Sequence, residues 1–205
     1  MDSVSDFLDK LASDQPVPGG GSAAALGAAV AAALVCMVAR LTVGRKRYEH
    51  VQAEARSIAD RADELKSRAE RLIQQDADAY QGVATAMALP KSTDGEKQRR
   101  SANIQAGLKH AAEPPLEIMR VASEAVMLAR ELLPIGNTSA VSDLGTAALF
   151  GRAAYHAARL NVEINLASVR DAGWVQDTRE ELAERPAPDA TAEAVLLDVA
   201  RIIQG

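Results

Sequence analysis

The sequence is short of aromatic residues, cysteine and concentrated positive charge. Six of its 205 residues are Phe, Trp or Tyr, against 42 alanines. Strands favour β-branched and aromatic side chains, whereas Ala loses no rotamer freedom in a helix, so this balance argues for helix and against sheet. Cys36 stands alone, which excludes an intrachain disulfide and a cysteine-based structural zinc site. His50, His110 and His156 are far apart and show no ligand spacing, so no metal is expected. The net charge of −5 argues against a nucleic-acid partner, which needs a basic face. The start, MDSVSDF, is acidic where a secretory leader carries base, and the expected compartment is the cytoplasm. One long apolar run exists, Ala23 to Val43. About half of it is Ala and Arg40 opposes insertion, so a buried helix is expected rather than a membrane span. With 48% hydrophobic and 25% charged residues, the chain reads as one soluble globular domain over residues 1–205.

What is present is helical periodicity. Ser3 to Ala12 reads as a short amphipathic helix carrying Val4, Phe7, Leu8 and Leu11. DQPVPGGG ends it, and Ser22 is placed to cap the next helix, which runs to about Val43 with Gly44 closing it. Ala23, Gly27 and Ala31 give that helix a face with almost no side chains, open to close packing. From Val51 the apolar positions step 4-3-4-3 through Ala55, Ile58, Ala62, Leu65, Ala69 and Leu72, the stripe of long antiparallel helices. The next step lands on Asp76, before Ala79, Val83 and Ala86. Asp78 falls on the opposite side and Tyr80 lies one turn on. Thr93 or Asp94 caps a helix to about Ala112, where Pro114 and Pro115 are expected to break it. Another helix runs to about Leu133, and the polar loop GNTSAVSD (Gly136 to Asp143) follows. Ser142 is read as the cap of a helix to about Asp171, with Asn161 and Asn165 on its packing side. Trp174 to Glu184 reads as a short helix, RPAPD as a break, and Asp189 as the cap of a terminal helix. The fold class is all-α, an up-and-down bundle of long antiparallel helices.

Four features can carry chemistry, and each has a plainer explanation. Asp76 on an apolar stripe has a raised pKa if buried and suits general acid or base work; it also suits a helix edge in water. PVPGGGS aims bare amides (Gly19, Gly20, Gly21 and Ser22) at a ligand, or is simply a tight turn. Asn137, Thr138, Ser139, Ser142 and Asp143 form a pocket wall or only cap one another. Asn161 and Asn165 read a flat hydrogen-bonding ligand, or satisfy backbone groups. The basic residues Arg45, Lys46 and Arg47, then Lys91, Lys97, Arg99 and Arg100, are a solvated surface or a collar for an anionic substrate tail.

Taken together, five segments resemble the cyclodeaminase/cyclohydrolase family of folate enzymes. They are PVPGGGSAAALGAAVAAALVCMVARLTVGRKRYE (Pro16 to Glu49), DADAYQGVATAMALPKSTDGEKQRR (Asp76 to Arg100), AAEPPL (Ala111 to Leu116), GN…SDLG (Gly136 to Gly145) and NVEIN (Asn161 to Asn165). They stand in the family's order and cover nearly the whole chain. The resemblance implies a helical bundle, usually a homodimer. It also implies a tetrahydrofolate substrate with no metal or bound cofactor, and the charge and the Ala-rich helix add the expectation of no nucleic-acid and no membrane partner. It maps the family's essential aspartate to Asp76. It offers Asn137, Asn161 or Asn165 for the pterin edge, and Lys91 and Arg45 for the glutamate tail. The sequence departs from the pattern at Thr138 and Ser139, where many relatives carry Pro and Asn, and at RKRYE, where Lys is common in place of Arg. The implied reaction is hydrolysis of 5,10-methenyltetrahydrofolate to 10-formyltetrahydrofolate. The alternatives are the cyclodeaminase reaction, which releases ammonia from the formimidoyl substrate, and folate binding without turnover. No formimidoyltransferase segment is present, which weighs towards the hydrolase.

Overall fold

The computed structural model describes residues 3–184 and 187–205. The described residues form seven α-helices and no strand: α1 (Val4–Leu11), α2 (Gly20–Thr42), α3 (Gln52–Met87), α4 (Asp94–Leu132), α5 (Val141–Leu166), α6 (Ala172–Glu184) and α7 (Asp189–Gln204). Two 3₁₀ turns, Lys46–Val51 and Thr138–Ala140, lead into α3 and α5. The expected break RPAPD falls partly on Arg185 and Pro186, outside the described residues.

The bundle core is α2 to α5, with α7 laid across α5 and α4. The stripe of α3 holds throughout: Val51, Ala55, Ile58, Ala62, Leu65, Ala69, Leu72, Ala79, Val83 and Ala86 are all buried. α2 is apolar and long enough to cross a membrane, yet most of it lies inside this bundle. Its small residues permit close approach. A Cβ on Gly27 would lie 3.4 Å from the Ala154 Cβ of α5, and one on Gly151 would lie 2.6 Å from Val126 Cγ2. Gly44, at φ +79°, ends α2 in the left-handed region that glycine takes without strain. Thr93 and Glu96 form a capping box at the start of α4, as expected.

Four expectations about element ends are corrected. α4 does not break at Pro114 and Pro115; both prolines are buried within one 39-residue helix. A proline at 115 removes the amide that would bond Ala111 O, and Asn165 Nδ2 donates to that carbonyl instead at 3.0 Å. Ser22 does not cap α2, because Gly19 occupies the cap position and the helix starts at Gly20. Ser142 is not the cap of α5, which starts at Val141 directly from a 3₁₀ turn whose own cap is Asn137. Asp189 lies in the first turn of α7 behind Pro188, where its carboxylate meets His156 Nε2 at 2.9 Å.

α3 and α4 continue past the ends of α2 and α5 as a two-helix arm. It has a small core of its own, Ala79, Val83, Leu108 and Ala111, flanked by Ile104 and Val169. Asp76 sits where this arm leaves the bundle, beside the N-terminus of α2.

Candidate active site

Asp76 reaches this position because the stripe of α3 turns it towards α2. Asp78, on the other side, is exposed and accepts from Gln74 Nε2 at 2.8 Å. Asp76 is half-buried, and the Ser22 hydroxyl contacts its Oδ2 at 2.9 Å. The same hydroxyl lies 3.0 Å from the Ile73 carbonyl. Burial raises the Asp76 carboxyl above the ordinary aspartate range, while the Ser22 hydroxyl and backbone amide pull it partly back. The raised direction means that burial outweighs both hydrogen bonds.

Gly21 is required by this contact. A Cβ on Gly21 would lie 2.5 Å from Asp76 Cγ and 2.7 Å from Oδ2, inside any permitted separation. A Cβ on Gly20 would lie 3.4 Å from Asn161 Nδ2. The carboxyl therefore rests on bare backbone at the start of a helix, where the first amides have no intrahelical acceptor. Asn161 and Asn165 form the floor. Asn165 Nδ2 donates to Ala111 O and to Asn161 O (2.9 Å), and Asn161 Nδ2 donates to Ala157 O at 2.9 Å. The Asn165 amide thus joins the proline step of α4 to the last turns of α5.

The remaining sequence candidates are elsewhere. Asn137 is buried at the other end of α2, where its amide N–H donates to Thr42 Oγ1 and its Nδ2 to Leu41 O. Arg45 Nε donates to the same Leu41 carbonyl. Ser142 and Asp143 open α5 at that end. Some twenty residues of α2 separate the two ends, about 30 Å at the α-helical rise. Within one chain, Arg45, Asn137, Ser142 and Asp143 therefore do not share a pocket with Asp76, contrary to the expectation of a common wall. Lys91 lies at the tip of the arm, between α3 and α4. Sequence reasoning missed two partners. The Ile73 carbonyl carries no side-chain signal. The Ala111 carbonyl was discoverable, since it stands four residues before a proline.

The largest cavity near the site, about 770 Å³, runs along the side of α3 between α1 and the Val17–Pro18 segment. Its apolar wall is made by Phe7, Val17, Pro18, Leu26, Ile73 and Ala77. Ile73 and Ala77 flank Asp76 in sequence, although the carboxyl itself is not in this wall. Among the described residues, no group of three His, Cys, Asp or Glu side chains is placed to hold a metal ion.

A family model described as formiminotransferase-cyclodeaminase matches residues 3–184. The chain belongs to the formiminotransferase-cyclodeaminase family. It is 39% identical over 181 residues to methenyltetrahydrofolate cyclohydrolase of Methylorubrum extorquens, covering 88% of this chain and 87% of that one. It is 33% identical over 192 residues to formimidoyltransferase-cyclodeaminase of Sus scrofa. That alignment covers 94% of this chain and 36% of the relative, so the chain spans about a third of that longer protein. The crystal structure of formiminotetrahydrofolate cyclodeaminase from Thermotoga maritima matches with a TM-score of 0.83 at 30% identity, over 100% of this chain and 96% of that one. The family fold and the all-helical reading of the sequence therefore agree, and the segments that carried the resemblance lie within the matched region.

Proposed function

We propose that this family member hydrolyses 5,10-methenyltetrahydrofolate to 10-formyltetrahydrofolate, with Asp76 as the acid–base group. The observation that carries the reading is a single half-buried carboxyl, raised by burial, seated on the bare helix start of α2. It lies in a chain 39% identical to a methenyltetrahydrofolate cyclohydrolase over most of both lengths.

In the substrate, one carbon bridges two nitrogens and carries a delocalised positive charge. The Asp76 carboxylate stabilises that cation and takes a proton as water adds to the carbon. The neutral adduct then opens: the carbonyl forms, the bond to the ring nitrogen breaks, and that nitrogen takes the proton back from Asp76. The adduct's hydroxyl proton leaves to solvent, which accounts for the single proton released per turnover. Water and one carboxyl suffice, with no metal or bound cofactor. Gly20, Gly21 and Asn161 stand nearest the reacting carbon, the apolar cavity along α3 offers room for flat rings, and Lys91 faces the glutamate tail.

The second reading, cyclodeamination, is favoured by the Thermotoga maritima structure and the Sus scrofa relative. There the second folate nitrogen attacks the formimidoyl carbon, and protonated Asp76 supplies the proton with which ammonia departs. The two readings separate on one pair of assays. Loss of methenyltetrahydrofolate absorbance above the uncatalysed rate is expected. Ammonia release from 5-formimidoyltetrahydrofolate with no hydrolysis would replace the first reading by the second. Stable binding without turnover would remove both.

A homodimer belongs to the same reading. Leu149, Phe150, Leu160 and Ile164 of α5 lie exposed along one stripe, Leu160 at 72% and Ile164 at 68%. Met37 and Leu41 of the adjacent α2 are exposed as well. Such a contiguous apolar face is characteristic of a subunit contact. If the twofold axis crosses α2 at right angles, the pairing runs α2 against its copy end for end and brings the Arg45 end of one chain to the Asp76 end of the other.

A further inference from the structure

The Ser22 hydroxyl has one proton and two acceptors, the Ile73 carbonyl at 3.0 Å and Asp76 Oδ2 at 2.9 Å. It is fully buried, so no water competes for it. With Asp76 ionised, the hydroxyl donates to the carboxylate. With Asp76 protonated on Oδ2, the acid can donate to Ser22 Oγ, and the serine proton then turns to the Ile73 carbonyl. The Ser22 hydroxyl then keeps its bond to the carboxyl in both states, and the change between them is a rotation about one Cβ–Oγ bond. A hydroxyl that only anchored a helix would need one acceptor, and a substrate-binding hydroxyl would face the cleft. This one does neither.

We infer that Ser22 is a positioning residue that holds the Asp76 carboxyl in one place through both of its protonation states by exchanging acceptors. The inference rests on the reading of Asp76 as the acid–base group and adds how that group is kept in register while it gains and loses its proton. Ser22 itself transfers no proton; the one that Asp76 carries comes from the attacking water and goes to the leaving nitrogen. Among the described residues, no charged group contributes to the balance at the carboxyl. α2 presents Gly20, Gly21 and Ser22, and α5 presents Asn161 and Asn165. On α4, Lys109 is paired with Asp171 and His110 with Glu113. Asp78 and Tyr80, on α3 itself, add nothing to the balance at Asp76, which is set by burial and Ser22.

The test is Ser22→Ala, read as the pH dependence of kcat/KM and, independently of turnover, as the carboxyl titration of Asp76 by carbon NMR. Alanine removes the donor to the carboxylate, so the ionised base appears only at higher pH. The acid-side midpoint should move up by about one unit, a roughly tenfold lower rate below it, with the high-pH plateau kept within a few-fold. Ser22→Cys, of similar shape with a weaker donor, should fall between wild type and alanine. An unmoved midpoint in both variants, with the plateau alone reduced, would overturn the assignment and leave Ser22 a packing residue. The NMR titration separates this from the folate reading: a shifted carboxyl in a protein inert towards methenyltetrahydrofolate keeps Ser22 and removes the substrate.

Discussion

At the scale of the residue, the site is a conflict between burial and ionisation. Asp76 is taken out of water by α2 and partly compensated by Ser22, and burial dominates. A carboxyl whose folded pKa lies above its unfolded value binds more protons when folded. Its contribution to stability is therefore greatest below the unfolded pKa and is lost as pH rises through the folded one. Asp76→Asn removes that titration, so the variant should be more stable than wild type at neutral pH. The difference should vanish as pH falls below about 4, where both forms are uncharged. Urea unfolding at several pH values measures it, and a variant less stable than wild type at pH 7 would show that the ionised carboxylate is well solvated. The position of Asp76 was legible from the 4-3 stepping of α3 alone. The acceptor exchange at Ser22 was not, because a serine after three glycines reads as a cap and nothing in the sequence announces a carbonyl from another helix.

At the scale of the element, periodicity outlasted the local breakers. Pro114 and Pro115 read as the end of a helix because proline removes a ladder hydrogen bond, and in isolation they would end it. Burial in the core and one asparagine from α5 keep α4 continuous. The pair Asn161 and Asn165, open between ligand reading and backbone satisfaction in the sequence, divides accordingly: Asn165 serves two carbonyls, and Asn161 lies against Gly20. Asn165→Ala should leave the Ala111 carbonyl without its donor and cost about 1–3 kcal/mol, the range for a half-buried group stripped of its partner. Asn165→Asp, which cannot donate, should cost no less. Thermal or urea unfolding gives the answer, and loss of under 0.5 kcal/mol in both would show that water replaces the amide without penalty.

At the scale of the molecule, the long antiparallel bundle was readable because the long helices α2 to α5, and α7, carry apolar residues that a neighbour must cover. Placement along the bundle was less readable. Sequence order put Arg45, Asn137, Ser142 and Asp143 among the candidate substrate contacts, while α2, lying full length between the two ends, holds them about 30 Å from Asp76. Only the helix that separates them reveals this. The exposed stripe of Leu149, Phe150, Leu160 and Ile164 supplies the proposed remedy, a second copy. Leu160→Glu alters an exposed residue of a single chain and should leave its fold intact, yet it should split the dimer. Light scattering after gel filtration is expected to give twice the 21.6 kDa chain mass for wild type and the chain mass for the variant. Monomer for both would withdraw the paired assembly.

One carboxyl at the junction of α2 and α3 is proposed to handle the proton of a one-carbon unit. The most direct measurement mixes purified wild type and Asp76→Asn with 5,10-methenyltetrahydrofolate and follows absorbance against buffer alone. Wild type should accelerate the decay, and the variant, still folded by circular dichroism, should be slower by about 10²–10⁴-fold. Equal rates in the two proteins would remove Asp76 from the chemistry.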